Sequence, residues 1–278
     1  MALNRSNKKV PMPAQDAQAR ARNFDEVALG YTLEQAMEEA ARCLNCKHKP
    51  CVNGCPVRID IPAFIKAIAE DNIEEAFLIL NRSSALPAVC GRVCPQESQC
   101  EQRCVRAFKG ESVAIGRLER YAADWYRASA CKLPPAPEPN GHRVAVVGAG
   151  PGGLTAAGEL ARMGYAVSIF EALHLPGGVL TYGIPEFRLP KDIVIAEVEF
   201  LKRLGVEVHM NTVIGKTLTV DELLEMGFEA IFIASGAGLP RFMGIPGESL
   251  KGVYSANEYL TRINLMRAYE RDALTPIM

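Results

Sequence analysis

The chain has 278 residues, of which 49% are hydrophobic and 23% are charged, and its formal net charge is -1. This length suits one large domain or two of ordinary size, and the near-neutral charge argues against a general binder of nucleic acid or anionic membranes. No apolar run approaches the roughly 18 residues of a membrane helix, and no apolar stretch follows the basic N-terminus, so we expect a cytoplasmic globular protein.

Nine cysteines distinguish the composition, and eight of them lie within residues 43–104. An odd number in a long chain is not typical of a disulfide scaffold, and clustered cysteines in a reducing compartment usually bind metal. Cys131 stands apart from the others, and we interpret it as a bystander.

The first part of the chain is predicted to be helical. Residues 1–30 are polar and show no sustained hydrophobic period, so we expect an N-terminal arm. Residues 31–132 are predicted to form an all-α domain. Thr32 and Gln35 fit a capping box at the start of its first helix, which we expect to deliver the first two cysteines.

Three further helices are predicted in this domain, one near Pro62, one after Asn72 and one over 112–130. A cysteine-rich turn region is expected at 90–104. Residues 133–141 contain four prolines, which favour extended backbone, and we interpret this stretch as a linker.

Residues 142–278 show a different pattern, that of an α/β nucleotide-binding domain. A β-branched strand at 144–147 is followed by a predicted helix at 153–163 and a second strand at 166–170. This β-α-β order is typical of a parallel sheet. Later strands are predicted at 206–210 and 230–234.

The cysteines form two groups with close spacing. The first is Cys43-x2-Cys46-x4-Cys51-x3-Cys55-Pro56, and the second is Cys90-x3-Cys94-Pro95-x4-Cys100-x3-Cys104. Cys-Pro pairs of this kind end the cysteine runs of bacterial two-cluster ferredoxins, in which that cysteine ligates the other cluster. We therefore predict two [4Fe–4S] clusters with crossed ligation. Zinc remains the alternative, because C-x2-C also serves tetrahedral zinc sites.

A dinucleotide fingerprint follows the first strand of the α/β part. Gly148, Gly150 and Gly153 fit G-x-G-x-x-G, with a predicted helix behind them that would direct its N-terminus at a pyrophosphate. Glu171 ends the second strand, near the offset expected of an acid that binds the ribose. The motif itself does not distinguish FAD from NAD.

Five stretches of the sequence resemble the small (β) subunit of NADPH-dependent glutamate synthase. They are the two cysteine groups, VAVVGAGPGGL at 144–154, PGGVLTYGIPEFRLPK at 176–191 and IASGAGLPRFMGIPGE at 233–248. The same stretches resemble the large subunit of the electron-bifurcating NADH-dependent ferredoxin:NADP oxidoreductase and the N-terminal half of dihydropyrimidine dehydrogenase. Together they cover nearly the whole chain.

The resemblance implies that the nucleotide fold holds FAD. Gly148, Gly150 and Gly153 would meet its pyrophosphate and Glu171 its adenosine ribose. Three further residues are implied near the flavin, namely Gly178, Leu180 and Gly236. The implied fold is an all-α iron–sulfur domain followed by a Rossmann-like FAD-binding domain.

The resemblance also implies ligands for the two clusters. One cluster would take Cys43, Cys46, Cys51 and Cys104. The other would take Cys55, Cys94 and Cys100, with Glu119 as a non-cysteine fourth ligand. The alternative for that fourth position is the thiolate of Cys90, in which case Glu119 is a helix surface charge.

The chain departs from the family pattern after Gly238, where no second glycine fingerprint follows. We therefore expect an N-terminal portion that lacks the NADPH-binding domain. The resemblance implies an oxidoreductase that passes electrons from NADPH through FAD and the clusters to a partner such as the glutamate synthase large subunit. Two alternatives stay open, an electron-transfer module without its own NADPH site and a subunit of the bifurcating oxidoreductase.

Overall fold

A computed structural model describes residues 3–129 and 137–275. The chain divides into two compact units, Met1–Leu133 and Pro134–Met278. Cys131 and the first four residues of the predicted linker lie outside the described residues.

The first unit is helical. Its α-helices are α1 (Ala17–Arg20), α2 (Leu33–Ala40), α3 (Pro50–Gly54), α4 (Ile61–Ala69), α5 (Ile73–Asn81), α6 (Pro87–Val93) and α7 (Ile115–Ala128). Two 3-10 turns, Gln96–Ser98 and Val105–Phe108, lie between α6 and α7. Helices α2, α4, α5 and α7 surround a core of apolar side chains from residues such as Phe64, Ile65, Ile68, Leu80 and Leu118.

The predicted helix starts are confirmed. Thr32 caps α2 with both hydrogen bonds of the capping box, and the side chain of Asn72 accepts the first-turn N–H of Glu75 in α5. Pro62 lies in the first turn of α4, where its missing N–H leaves no hydrogen bond unmade.

Two details of this unit differ from the sequence prediction. Helix α2 ends at Ala40, so Cys43 and Cys46 lie in the turns that follow it rather than in the helix. Cys90 was expected in a turn region but lies in α6, which begins with Pro87 in its first turn. The apolar residues 88 and 89 are buried there, and this burial stabilises a helical turn that local composition does not reveal.

The N-terminal arm packs against the unit instead of extending from it. Ala14 pairs with Ala28 in an antiparallel bridge, and Val10 is buried within the core cluster. The Val10 N–H donates to Glu39, and Lys9 pairs with Glu101. Because such polar contacts hold the arm, it needs no hydrophobic period.

The second unit is built on a parallel sheet. Its elements are β1 (Arg143–Val147), α8 (Pro151–Arg162), β2 (Ala166–Phe170), α9 (Val179–Tyr182), α10 (Lys191–Arg203), β3 (Glu207–His209), α11 (Val220–Glu225), β4 (Ala230–Ile233) and α12 (Ala256–Asn264). The strand order is β3-β2-β1-β4, with every neighbouring pair parallel. The four predicted strands are confirmed, whereas the 13-residue helix α10 was not predicted.

The register of the sheet brings its ligand-binding loops to one edge. Val147 of β1 lies beside Phe170 of β2 and Ile233 of β4. The segments that follow these three strands therefore start from the same edge, which is where α/β sheets bind nucleotides.

Candidate functional site

Four of the predicted cluster ligands converge in the first unit. A small cavity is lined by Cys43, Cys46, Cys51 and Cys104 together with Leu44, Pro50, Pro62, Val105, Arg106 and Val113. These are the same four cysteines that the family resemblance groups into one cluster. Their convergence was implied by the resemblance and not by spacing alone.

Tight turns bring these cysteines together. Asn45 and Lys49 have left-handed backbone, with φ of 46° and 41°, and this lets the chain reverse between Cys43 and Cys51. Burial, reinforced by the neighbouring thiols of Cys43 and Cys104, raises the pKa of Cys51 to about 11. The Val113 N–H donates to Cys104 Sγ at 3.5 Å, a contact of the kind that tunes an iron–sulfur cluster.

The remaining predicted ligands form a second group. Burial raises the pKa of Cys100, and the nearby Glu119 and Cys55 raise it further. The thiol of Cys90 hydrogen bonds Cys94, which raises the pKa of Cys90 and lowers that of Cys94 to about 7. The charge of Glu119 also raises the pKa of Cys90. The carboxylate and the thiol that compete for the fourth ligand position therefore both belong to this group.

Two glycines permit this second group to form. A Cβ on Gly91 of α6 would press on the backbone of Arg120 in α7, so only glycine allows the two helices to approach and bring Cys90 near Glu119. A Cβ on Gly54 would likewise press on the Gln99 carbonyl oxygen and on Arg103 Cγ. Each of these glycines lies beside a cysteine, yet neither was predicted from the sequence as a site residue.

The arrangement fits four-iron clusters better than single zinc ions. Within residues 3–129 and 137–275, no three His, Cys, Asp or Glu side chains gather closely enough to hold one metal ion. A structural zinc requires four ligands around a single ion at about 2.0–2.3 Å. The thiolates of a [4Fe–4S] core bind different irons, so such a core does not require its four cysteines to meet at a single ion.

A buried ion pair supports the cluster loops. Glu39 and Arg42 are both fully buried, and Arg42 Nη1 lies 2.5 Å from Glu39 Oε1. Arg42 also donates to the carbonyls of Glu111 at 2.7 Å and Ser112 at 3.0 Å. These bonds hold the segment that leads from the second cysteine group into α7.

The same pair fixes the N-terminal arm. Glu39 Oε2 accepts the Val10 N–H at 2.6 Å, and its other oxygen accepts the Ala114 N–H at 2.8 Å. The Val10 carbonyl accepts from the Tyr31 hydroxyl at 2.5 Å and from Arg117 at 3.0 Å. Glu101, next to Cys100, pairs with Lys9 of the arm. Arm and cysteine loops therefore form one hydrogen-bonded structure.

The second unit contains a cavity of about 600 Å³ at the edge where β1, β2 and β4 end. Five of the seven predicted FAD residues line it, namely Gly148, Gly150, Glu171, Gly178 and Gly236. Gly153 and Leu180 do not line it. A Cβ on Gly153 would collide with the Gly148 carbonyl oxygen, which gives Gly153 the packing role of a fingerprint glycine.

Glycine backbone shapes this cavity. Gly148 has φ of 104°, and Gly178 has φ of 53° at the start of α9. A Cβ on Gly178 would lie 2.7 Å from Gly150 Cα, so the two predicted FAD glycines lie close together and Gly178 cannot carry a side chain there. Leu180, in the next turn, is buried behind the lining residues Val179 and Tyr182.

Glu171 is buried at the end of β2 and is held by backbone. Its Oε2 accepts the Ala149 N–H at 2.7 Å and its Oε1 accepts the Leu173 N–H at 2.9 Å. Each carboxylate oxygen keeps a further lone pair for a ligand hydroxyl. The carboxylate therefore fits the predicted ribose contact and also ties the glycine loop to β2.

Comparison with known families matches each of the two parts of the chain separately. Residues 20–131 match the family described as dihydropyrimidine dehydrogenase domain II, 4Fe-4S cluster, and residues 142–273 match the pyridine nucleotide-disulphide oxidoreductases. The chain thus combines a 4Fe–4S domain of the first family with an FAD-type redox domain of the second.

Individual relatives confirm the resemblance stated from the motifs. The small chain of NADPH glutamate synthase from Azospirillum brasilense is 35% identical over 93% of this chain and 55% of the relative. The NAD-dependent dihydropyrimidine dehydrogenase subunit PreT of Escherichia coli K12 is 37% identical over 79% of this chain and 54% of the relative. The putative oxidoreductase AegA of the same strain is 36% identical over 87% of this chain and 37% of the relative.

The chain therefore spans about half the length, or less, of these curated relatives. No described helix is both long enough and apolar enough to cross a membrane.

Proposed function

We propose that the chain transfers electrons from NADPH, by way of FAD and two [4Fe–4S] clusters, to a partner subunit. The partner that the relatives favour is a glutamate synthase large subunit, which would make glutamate from glutamine and 2-oxoglutarate. The observation that carries the proposal is the presence, in one chain, of two convergent cysteine groups and a glycine-lined nucleotide cavity.

When bound, FAD supplies the conversion between two-electron and one-electron chemistry, and the clusters supply one-electron steps. The chain's own residues bind and tune these groups. Gly148, Gly150 and Gly178 leave room for a pyrophosphate to approach the backbone, and Glu171 offers lone pairs to a ribose.

The cysteines are assigned to the two clusters as the resemblance implies. The Cys43 group would hold one cluster beneath the Val113 N–H, which donates to Cys104. Cys55, Cys94 and Cys100 would hold the other, with Glu119 as the fourth ligand. Glu119 is 5% exposed, and this burial of a carboxylate supports a ligand more than a surface charge.

The ligand assignment is tested by two variants. Glu119→Ala is expected to remove or convert one cluster, whereas Cys90→Ala should leave both intact. Iron content and EPR spectra of the reduced proteins measure the outcome. Loss of a cluster from the Cys90 variant with both retained in the Glu119 variant would assign the fourth position to the thiol.

The electron path is tested by an anaerobic NADPH titration of the purified protein after its flavin and iron have been assayed. Bleaching of the flavin absorbance and appearance of the cluster EPR signals would support the complete electron path and would reveal a nicotinamide site that the sequence does not show. If flavin and iron are present and NADPH changes neither signal, the chain is an electron-transfer module without its own NADPH site.

The similarity to PreT supports a second candidate, an electron donor to a pyrimidine-reducing partner. A pull-down from the native cell distinguishes the two. Recovery of a glutamate synthase large subunit supports the first proposal, and recovery of a pyrimidine-reducing flavoprotein supports the second.

A further inference from the structure

Two loops of the iron–sulfur unit concentrate positive charge. Residues 43–58 and 102–110, the basic loops, contain six lysines and arginines and no aspartate or glutamate, in a chain whose net charge is -1. The six are Lys47, Lys49, Arg58, Arg103, Arg106 and Lys109. The same loops contain Cys43, Cys46, Cys51 and Cys104, the four cysteines that line the small cavity.

The basic loops form one continuous surface. Leu44 from the first loop and Val105 and Arg106 from the second line the same small cavity with the cysteines. Gly54 packs so closely on the second loop that an added Cβ would lie 2.8 Å from Arg103 Cγ. The charges of the two loops therefore add on one face of the unit.

Apolar side chains stand among these charges. Phe108 is 87% exposed, and Leu44 and Val105, which cover the cysteine cavity, are 41% and 36% exposed. Phe108 ends the 3-10 turn that begins with Val105, and an aromatic side chain so exposed can anchor a partner, since aromatic side chains supply much of the energy of protein interfaces.

Two of the six cations make internal contacts, since Lys49 pairs with Asp60 and Arg106 donates to the Ser6 carbonyl, but three others do not serve as internal supports. Arg42 shows what such a support looks like here, because it is fully buried and donates to three backbone carbonyls. Lys47, Arg103 and Lys109 are exposed, and none of them makes an ion pair with another residue in the described part of the chain. Their charges face solvent, where they can act on an approaching molecule.

We propose that the basic loops dock the acidic face of a partner redox protein, with Phe108 as the apolar anchor, and that the electron leaves the chain here. The inference rests on the proposed function. In each transfer the reduced chain loses one electron and the oxidised partner gains it, with no bond made or broken. Docking on this face places the partner over the cavity lined by Cys43, Cys46, Cys51 and Cys104, where Leu44 and Val105 are the covering side chains.

The probe is a plant-type [2Fe–2S] ferredoxin, an acidic one-electron carrier, used with the reconstituted protein. Its Kd is measured anaerobically over a range of salt concentrations, and its reduction is followed after the protein has been reduced. Lys47→Glu/Lys109→Glu is expected to raise Kd roughly tenfold at low salt and much less at high salt. Phe108→Ser should raise Kd roughly tenfold at all salt concentrations.

Arg82→Glu is the matched control, because Arg82 is an exposed cation of the same unit outside the basic loops. It should leave Kd within about twofold of wild type. Iron content and EPR must match wild type in every variant, and Lys109→Glu alone serves if the double variant loses iron. Equal Kd values for the wild type and the loop variants would overturn the docking surface. Reduction of the clusters by the flavin of the same protein would still support the proposed function. If the flavin does not reduce the clusters, the proposed function itself is contradicted.

Discussion

The two units form their sites in different ways, the first mainly from side chains and the second mainly from backbone. In Met1–Leu133 the predicted ligands are side chains on short helices and turns, and a buried ion pair and the N-terminal arm hold them in place. In Pro134–Met278 the cavity is shaped mainly by backbone, at glycines between parallel strands. The first site should therefore be sensitive to loss of charge partners, and the second to added side-chain volume.

Glu39→Gln should have the largest effect on stability. The substitution leaves Arg42 fully buried without its charge partner, and breaking a buried pair costs about 3–5 kcal/mol. Trp125, the single tryptophan of the chain, lies in α7 of the same unit, so its fluorescence during urea unfolding measures the loss.

Glu38→Gln provides the control, because Glu38 is the exposed neighbour on the same helix. Its effect should stay within about 0.5 kcal/mol. A similar small effect for Glu39→Gln would mean that the buried pair does not hold the cysteine loops.

Gly153→Ala tests the glycine backbone of the second unit. Its Cβ would collide with the Gly148 carbonyl, and forced overpacking costs about 1–3 kcal/mol. We expect weaker FAD retention and a lower midpoint for flavin release, with the Trp125 transition unchanged.

Gly152→Ala is the comparison within the same loop. The nearest atom to its added Cβ is Ala234 Cβ at 4.0 Å, an ordinary contact. FAD retention close to wild type is therefore expected. Equal damage from both substitutions would show that the loop tolerates no added methyl group and would remove the packing explanation.

Tyr31 connects pH to the anchoring of the arm. Burial raises its pKa from 10.0 to about 12, so the folded state holds the phenolic proton more tightly than the unfolded state does. The resulting stability is fully present below pH 10 and is lost as pH rises towards 12, by about 2 kcal/mol.

Tyr31→Phe removes both this dependence and the hydrogen bond to the Val10 carbonyl, which is worth about 1 kcal/mol at pH 8. Unfolding free energies of wild type and variant should therefore converge between pH 10 and 12. Parallel curves would show that the phenol is not held in the folded protein as proposed.

Local signals predicted much of this fold. The capping residues Thr32 and Asn72 and the β-branched run at 144–147 identified their elements, because caps and strand periodicity act over a few residues. The fingerprint glycines were identified for the same reason. Helix α10 was missed, since its burial depends on packing against α8 and α9.

The contacts between distant residues were not predicted. The bond from Glu39 to Val10 joins positions 29 residues apart, and the contact between Gly91 and Arg120 depends on how two helices pack. Neither leaves a periodic or spacing signal. The grouping of Cys104 with Cys43 was available only through the family resemblance.

The smallest expected effects come from a motif that both units share. Thr32 and Thr219 each form a complete capping box, the first at α2 and the second at α11. Thr32→Ala and Thr219→Ala should each cost about 0.5–1 kcal/mol, because the lost bonds are local and exposed. Trp125 fluorescence would measure the first change and flavin release the second. If Thr32→Ala cost as much as Glu39→Gln, the start of α2 and not its buried ion pair would control the stability of the iron–sulfur unit, and the contrast between side-chain and backbone sites would lose its basis.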